Sequence, residues 1–336
     1  MSYPKRMNSQ NKEIYKEIAA QIKGSQSILI TSHEDPDGDS IGSQLAMRRL
    51  AADLNKVAVI INHGLIPLKY RFLPEIEHIT EIRQYNNINA FDLIIMLDCP
   101  TLERSGEVNI LINKKQTIIN IDHHPDNTVF GNINLIDSKA SSVGEILCEL
   151  FLHLKIRIDE ISAAQLFAAI LTDTGRFRYE TTGQRTMEVA GHLIECGAHP
   201  REICDQIYYS ISESTLRLTG QVLSGIEFFQ EGKICLLRLN RTLLEANHSN
   251  LSETDGLTDY ALFGKDVMVG ALLREIDDRR TEVSLRSRGS LDVSRLAHKY
   301  GGGGHYNAAG FAVNLPLEQV DEKLLKDIRE LINGSI

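Results

Sequence analysis

Apolar residues along the first two-thirds of the chain fall into two kinds of run. Residues 27–31, 57–61, 93–97 and 117–121 are short and nearly continuously apolar, which predicts strands buried on both faces. Between them the apolar residues recur at helical spacing: Ile14, Ile18 and Ile22 before Gly24, then Ile41, Leu45, Met47 and Leu50 within 40–54. Ser142-Val143-Gly144-Glu145 reads as a capping box ahead of Ile146, Leu147, Leu150 and Phe151. This alternation predicts an α/β fold, with a mostly parallel sheet flanked by helices over residues 12–208. From about Thr182 to Ser224 the pattern is helical, and 209–224 is expected to link two domains. Residues 234–239, 267–273 and 282–285 are then strand-like, with a turn at Asp277-Asp278-Arg279-Arg280. A helix over 291–300, a run of four glycines, and a last helix with Val320, Leu324, Ile328 and Leu331 on one face complete a smaller α/β domain over 225–336.

The ends of the predicted strands carry the chemistry. His33, Asp37 and Asp39 follow the first, Asp98 the third, and Asp122-His123-His124 the fourth. Asp173 follows the apolar run Leu166–Leu171, which reads as a helix. In parallel sheets ligands bind beyond the carboxyl ends of strands. A lone Asp after a strand is more often a helix cap or turn former than a ligand. The joint, ordered occurrence of these groups is what predicts a dinuclear metal site, whose ions would lie about 3.5–4 Å apart and share a carboxylate. His33 and Asp37 would hold one ion and Asp39 the other. Asp98 would bridge, and His123 and Asp173 would complete the second ion's ligands. Asp and His donors suit two divalent ions, with Mn²⁺ expected and Mg²⁺ or Co²⁺ as substitutes; thiolates would have suggested zinc. Such a site activates water and offsets charge on a phosphoryl group.

Composition narrows the picture. At 336 residues, 42% hydrophobic and 24% charged, the chain has room for two cores. No apolar run nears the roughly 20 residues of a membrane span, and the first residues lack the apolar core of a signal peptide. Five scattered cysteines without a C-x-x-C pair suit a reducing cytoplasm, with Cys99 read as a core side chain despite its place beside Asp98. A net charge of -9 argues against a broad duplex-binding surface but not against phosphorylated ligands, since paired cations would neutralise the acidic cluster.

Further candidates lie outside the acidic cluster. Gly302, Gly303 and Gly304 with His305 could turn backbone N–H groups toward an anion; a flexible turn is the competing reading. Arg286 and Arg288 alternate along a strand, so both face one way, toward a phosphate or toward solvent. Arg176 and Arg178 carry the same ambiguity beside Asp173.

These motifs resemble the DHH phosphoesterase superfamily, whose signature matches Asp122-His123-His124. The other motifs match His33/Asp37/Asp39, Asp98 and Asp173. Gly301–Gly304 with His305, followed by Ala308-Ala309-Gly310-Phe311, resembles the glycine-rich motif of the DHH-associated domain. The resemblance implies that His123 binds metal, that His124 faces the substrate phosphate, and that Asp122 stands close behind the metals. Manganese pyrophosphatases of the superfamily resemble only the first half, RecJ-type exonucleases are longer, and membrane-bound cyclic-dinucleotide phosphodiesterases carry spans and sensor segments. The compact architecture, and the stretch Leu171 to Tyr179, resemble the group of oligoribonucleases that also act on 3′-phosphoadenosine 5′-phosphate. The expected activity is therefore metal-dependent hydrolysis of short single-stranded RNA to mononucleotides, with dephosphorylation of phosphoadenosine phosphate. A cleft between two phosphate-contacting domains would favour such short substrates. A phosphodiesterase for cyclic di-AMP or its linear product is the nearest alternative. A nucleotide-binding regulator without catalysis would lack a ligand, and every motif position is filled. Exposed apolar helix faces would allow a homodimer.

Overall fold

The computed structural model describes residues 11–85, 91–254 and 256–334, apart from the side chains of Ser252 and His305. The chain divides into two compact units, one up to Ser210 and one from Ile211 onward. The first ten residues lie outside the described ones.

The first unit is built on six parallel strands: β1 (Ile28–Thr31), β2 (Ala58–Asn62), β3 (Ile79–Glu81), β4 (Leu93–Leu97), β5 (Thr117–Asp122) and β6 (Ile133–Ile136). Their order is β3-β2-β1-β4-β5-β6. Chain direction across the sheet therefore reverses between β1 and β4, the point at which such sheets open a crevice at their carboxyl edge. β1 and β4 are in register from Ile28↔Leu93 to Thr31↔Met96, and β4 and β5 from Leu93↔Thr117 to Leu97↔Ile121. Hence the segments after β1, β4 and β5 emerge side by side.

The helices are α1 (Lys12–Gly24), α2 (Gly38–Asp53), α3 (Val143–Leu154), α4 (Glu160–Asp173), α5 (Gln184–Glu195) and α6 (Pro200–Tyr208). Their apolar faces build the main core with Ile28, Ile30, Leu93, Ile95, Leu97, Ile119 and Ile121. Leu29, Ile61, Ile94 and Met96 point the other way, onto Val108 and the short 3-10 turns of Leu102–Leu111. Strands buried on both faces explain the unbroken apolar runs. Helices α2 and α4 approach unusually closely, because a Cβ on Gly42 would lie 2.3 Å from the Gln165 carbonyl oxygen. That approach brings Asp39, in the first turn of α2, toward Asp173, the last residue of α4.

The second unit holds a mixed sheet of β7 (Glu227–Phe229), β8 (Ile234–Leu239), β9 (Val269–Asp277), β10 (Arg280–Ser287), β11 (Gly303–His305) and β12 (Ala308–Val313), in the order β11-β12-β10-β9-β8-β7. Its helices are α7 (Glu213–Ser224), α8 (Arg241–Ala246), α9 (Leu257–Tyr260), α10 (Val293–Lys299) and α11 (Leu317–Ile332). Helix α7, within the span expected to connect the domains, buries Leu218 and Val222 among Cys235, Leu237 and Leu239 of β8. Helices α10 and α11 cover the opposite face.

The glycine run is part of this sheet. Gly303, Gly304 and His305 pair with Gly310, Ala309 and Ala308. A Cβ on Gly302 would lie 2.1 Å from the Gly310 carbonyl oxygen and 2.5 Å from the Phe311 Cβ. Gly302→Ala should therefore cost about 1–3 kcal/mol of stability through overpacking, read as a lower melting temperature of the second unit's transition. A turn free to flex would show no loss.

Candidate metal centre

The carboxyl edge of the first sheet gathers the acidic and imidazole groups. His33 leaves β1 and is buried. Asp37 caps α2, its Oδ1 accepting from the Asp39 and Ser40 N–H groups at 3.0 Å each. Asp39 is fully buried and aims at a second helix: its Oδ2 accepts from Val143 N–H at 2.7 Å, and its Oδ1 from Gly144 N–H at 2.9 Å and the Ser43 hydroxyl at 3.1 Å. The first turn of α3 thus fixes a carboxylate from more than a hundred residues earlier, a placement its helix dipole favours.

Asp98 follows β4 with φ +54°, a left-handed conformation uncommon outside glycine and best tolerated by Asn and Asp. Its N–H still bonds the Ile121 carbonyl at 3.0 Å, so the β4–β5 ladder turns Asp98 toward the neighbouring histidines. Asp98 Oδ2 lies 3.4 Å from His33 Nε2, and Oδ1 lies 3.5 Å from His124 Nδ1 and 3.7 Å from His123 Nε2. His123 Nε2 is also 3.2 Å from Asp173 Oδ2 and 3.9 Å from Asp39 Oδ2. Three trios result, each able to bring its ligand atoms within 4.8 Å of one another: His33/Asp37/Asp98, Asp39/His123/Asp173 and Asp98/His123/His124. Asp98 and His123 each belong to two of them.

The donor set fits divalent cations. His123 Nδ1 lies 3.3 Å from the Ala140 carbonyl oxygen, which can only accept, so Nδ1 keeps its proton and Nε2, among the carboxylates, is the nitrogen that would give up its proton to ligate a cation. Among the described residues, Asp98 Oδ1 and His33 Nδ1 are buried without a hydrogen-bond partner. Among the described residues no lysine or arginine pairs with Asp39 or Asp98. Burial, then repulsion from Asp39 and Asp37, holds the Asp98 carboxyl well above the usual carboxylate range. Burial also raises Asp173, against the pull of His123 and with the push of Asp39, Asp37 and Asp98. Burial alone would lower His123, yet Asp173, Asp39, Asp98 and Asp122 push it up to about 10. Without cations the cluster must hold protons; two divalent ions would displace them.

Asp122 plays a different part. Its Oδ1 accepts from His123 N–H at 2.8 Å and sits 2.8 Å from His124 Nδ1, and its Oδ2 accepts from the Asn127 amide at 2.6 Å. Burial would raise this carboxyl, but the His124 and Asn127 bonds hold it below its ordinary value. Cys99 is buried, donates to the Thr101 carbonyl, and is pushed far up by burial and by Asp122 and Asp98, which keeps it a thiol.

Two models of protein families match the chain: the DHH family N-terminal domain over residues 27–172 and the DHHA1 domain over 253–334. The chain belongs to the DHH phosphoesterase family. As a member it is a metal-dependent phosphoesterase, and the buried Asp/His cluster lies inside the matched DHH segment except for Asp173, one residue beyond it. The bifunctional oligoribonuclease and PAP phosphatase NrnA of Thermus thermophilus is 30% identical over 315 residues, 94% of this chain and 92% of that protein. The cyclic-di-AMP phosphodiesterase PdeA of Listeria monocytogenes is 25% identical over 342 residues, 96% of this chain and 50% of that protein. A crystal structure of an exopolyphosphatase-related protein from Bacteroides fragilis superposes with a TM-score of 0.89 at 27% identity, covering 96% of this chain and 98% of that one. No helix among the described residues of this DHH phosphoesterase is long and apolar enough to cross a membrane.

The remaining sequence candidates belong to other elements of the two units. Gly175, Arg176 and Phe177 all have positive φ (54°, 65° and 61°), a tight left-handed turn directly after α4. Phe177 anchors it against Phe167, and the exposed Arg176 stacks 4.7 Å over Tyr208. Arg178 is exposed, 5.7 Å over Tyr179. In the DHHA1 unit, Arg286 pairs with Asp259 at 3.1 Å. Arg288 lies past the end of β10 and donates to the Leu262 and Lys265 carbonyl oxygens. The His305 side chain is outside the described residues. The capping box at Ser142 is only half formed: Ser142 accepts from Glu145 N–H at 3.1 Å, while the Glu145 carboxylate goes to the Ser141 hydroxyl at 2.7 Å and to Arg185. Asn127, the Ala140 carbonyl and the Val143 and Gly144 amides escaped sequence reading, because backbone groups and a loop amide leave no periodic mark.

Proposed function

We propose that this phosphoesterase hydrolyses very short RNA oligomers to mononucleotides and removes a phosphate from 3′-phosphoadenosine 5′-phosphate, with Mn²⁺ as its ion. In this reading His33, Asp37 and Asp98 hold one cation, and Asp39, His123, Asp173 and the shared Asp98 hold the other. The chemistry supplied by a cation pair is activation of a water and offset of charge on the phosphoryl oxygens. Asp122 fixes His124 through Nδ1, which leaves Nε2 to meet a phosphate oxygen. Asn127 holds Asp122 in turn. Arg176 and Arg178 add positive charge near Asp173, and Arg286, with Arg288 and the backbone of Gly302, Gly303 and Gly304 beside His305, is assigned to the rest of the nucleotide.

The observation carrying this reading is the convergence of Asp98 and His123 in overlapping trios. The similarity to a bifunctional oligoribonuclease and PAP phosphatase over 94% of this chain supports the choice of short RNA and phosphoadenosine phosphate as substrates. The similarity to a cyclic-di-AMP phosphodiesterase over 96% of this chain supports a second reading with the same centre. Turnover of di- to pentaribonucleotides, phosphoadenosine phosphate, cyclic di-AMP and pyrophosphate with Mn²⁺ tests both. Mononucleotides and AMP are the expected products. Faster cleavage of cyclic than of linear dinucleotide would transfer the assignment, and no product from any phosphate ester would end it.

A further inference from the structure

Arg185 lies in the first turn of α5 and takes no part in the chemistry outlined above. Its guanidinium reaches into a buried acidic pocket. Nη1 donates to Asp137 Oδ2 at 2.7 Å, while Nε donates to Glu149 Oε1 at 2.7 Å and lies 2.9 Å from Glu145 Oε1. Glu145 and Glu149 are almost fully buried, and the Tyr15 hydroxyl donates to Glu149 Oε2 at 3.2 Å. Three carboxylates around one arginine are costly to bury and costly to disrupt, so the arrangement calls for a reason beyond cohesion.

The reason lies in what Asp137 and Glu145 enclose. Asp137 continues the β5–β6 ladder, its N–H bonding the Asp122 carbonyl at 3.0 Å. It then shapes a turn, its Oδ1 accepting from Lys139 N–H at 3.1 Å and its carbonyl from Ala140 N–H at 3.0 Å. That turn sets the Ala140 carbonyl at His123 Nδ1. Five residues later Glu145 lies in the first turn of α3, whose Val143 and Gly144 amides hold Asp39. Every backbone group that orients His123 or the carboxylate of Asp39 from this side thus lies between two acids gripped by one guanidinium.

We infer that Arg185 is a positioning residue for the Asp39/His123/Asp173 cation position, acting by clamping the 137–145 segment at both ends. The inference rests on the ligand reading of His123 given under the proposed function. Among the described residues the His33/Asp37/Asp98 position has no such link to Arg185, so its cation should be held as before when the clamp is loosened.

The test is Mn²⁺ titration of the full chain, following free ion by electron paramagnetic resonance, in Asp137→Asn, Glu149→Gln and His123→Ala proteins. Asp137→Asn cuts the clamp at the turn. Glu149→Gln weakens the same arginine pocket outside the clamped segment. The expected result is that Asp137→Asn weakens one of two Mn²⁺ sites about tenfold or more, in the range for groups that orient a ligand, while Glu149→Gln lowers the melting temperature and leaves both sites intact. Equal Mn²⁺ affinity in Asp137→Asn and wild type, or equal weakening in Asp137→Asn and Glu149→Gln, would overturn the clamp. If His123→Ala binds two Mn²⁺ as tightly as wild type, the ligand reading itself fails, and the two failures are told apart. Should Asp137→Asn not fold, Arg185→Lys keeps the charge in the pocket, loses the forked grip, and carries the same expectation.

Discussion

Asp98→Asn is expected to lower dinucleotide turnover by on the order of a thousandfold or more while leaving the metal-free protein at least as stable as wild type. The two halves of that result have one cause. Burial, and then repulsion from Asp39 and Asp37, holds the Asp98 carboxyl well above the usual range, so its charge is a burden until cations offset it. Asparagine keeps the shape, tolerates the left-handed backbone at φ +54°, and removes the charge. Alanine would add backbone strain and blur the comparison. Steady-state rates and thermal melts on metal-stripped protein decide it. Near wild-type turnover would remove Asp98 from the centre, and a large fall in melting temperature would assign it a structural role.

Stripping the divalent ions should abolish turnover, and restoring Mn²⁺ should bring back activity and raise the melting temperature together. At a free concentration of 100 times the dissociation constant, each site adds about 2.7 kcal/mol. The metal-free protein should also lose stability as pH rises. His123 keeps its proton in the fold up to about 10, against an ordinary value of 6.5. Between those values the folded state binds more protons than the unfolded one, so stability falls with rising pH. The raised Asp39, Asp98 and Asp173 carboxyls act in the same direction from about their ordinary value of 3.8 upward. Denaturant melts across pH, with chelator and with saturating Mn²⁺, should show a falling line and a flatter one. Identical lines would mean that the cluster does not exchange protons for cations.

Much of this was legible in the sequence because burial on both faces writes an unbroken apolar run. The runs at 93–97 and 234–239 predict strands and are β4 and β8. The run at 57–61 was read one residue early, since Val57 is exposed and β2 begins at Ala58. The three-residue β3 is too short to leave a pattern, and β6, no longer than β1, is buried only at alternate positions with Asn134 breaking its apolar run. The clustered Asp and His groups are visible because most of them stand at or shortly after the end of a strand, and parallel register does the rest. The glycine run was harder. Absence of Cβ is demanded equally by an anion's approach and by another strand's, and at Gly302 the structure supplies the strand. Arg185 left no signal, because Asp137, Glu145 and Glu149 are 36 to 48 positions away and meet it only in the folded unit.

The grip of α3 on Asp39 also dictates a chronology. The Val143 and Gly144 amides lie 104 and 105 positions along the chain from the carboxylate they hold. No local turn or hairpin can aim that side chain, and the loop separating them must close first. A newly made chain therefore acquires this coordination position only after segments 104 and 105 positions apart have met, so cation capture at Asp39 must wait for that loop to close.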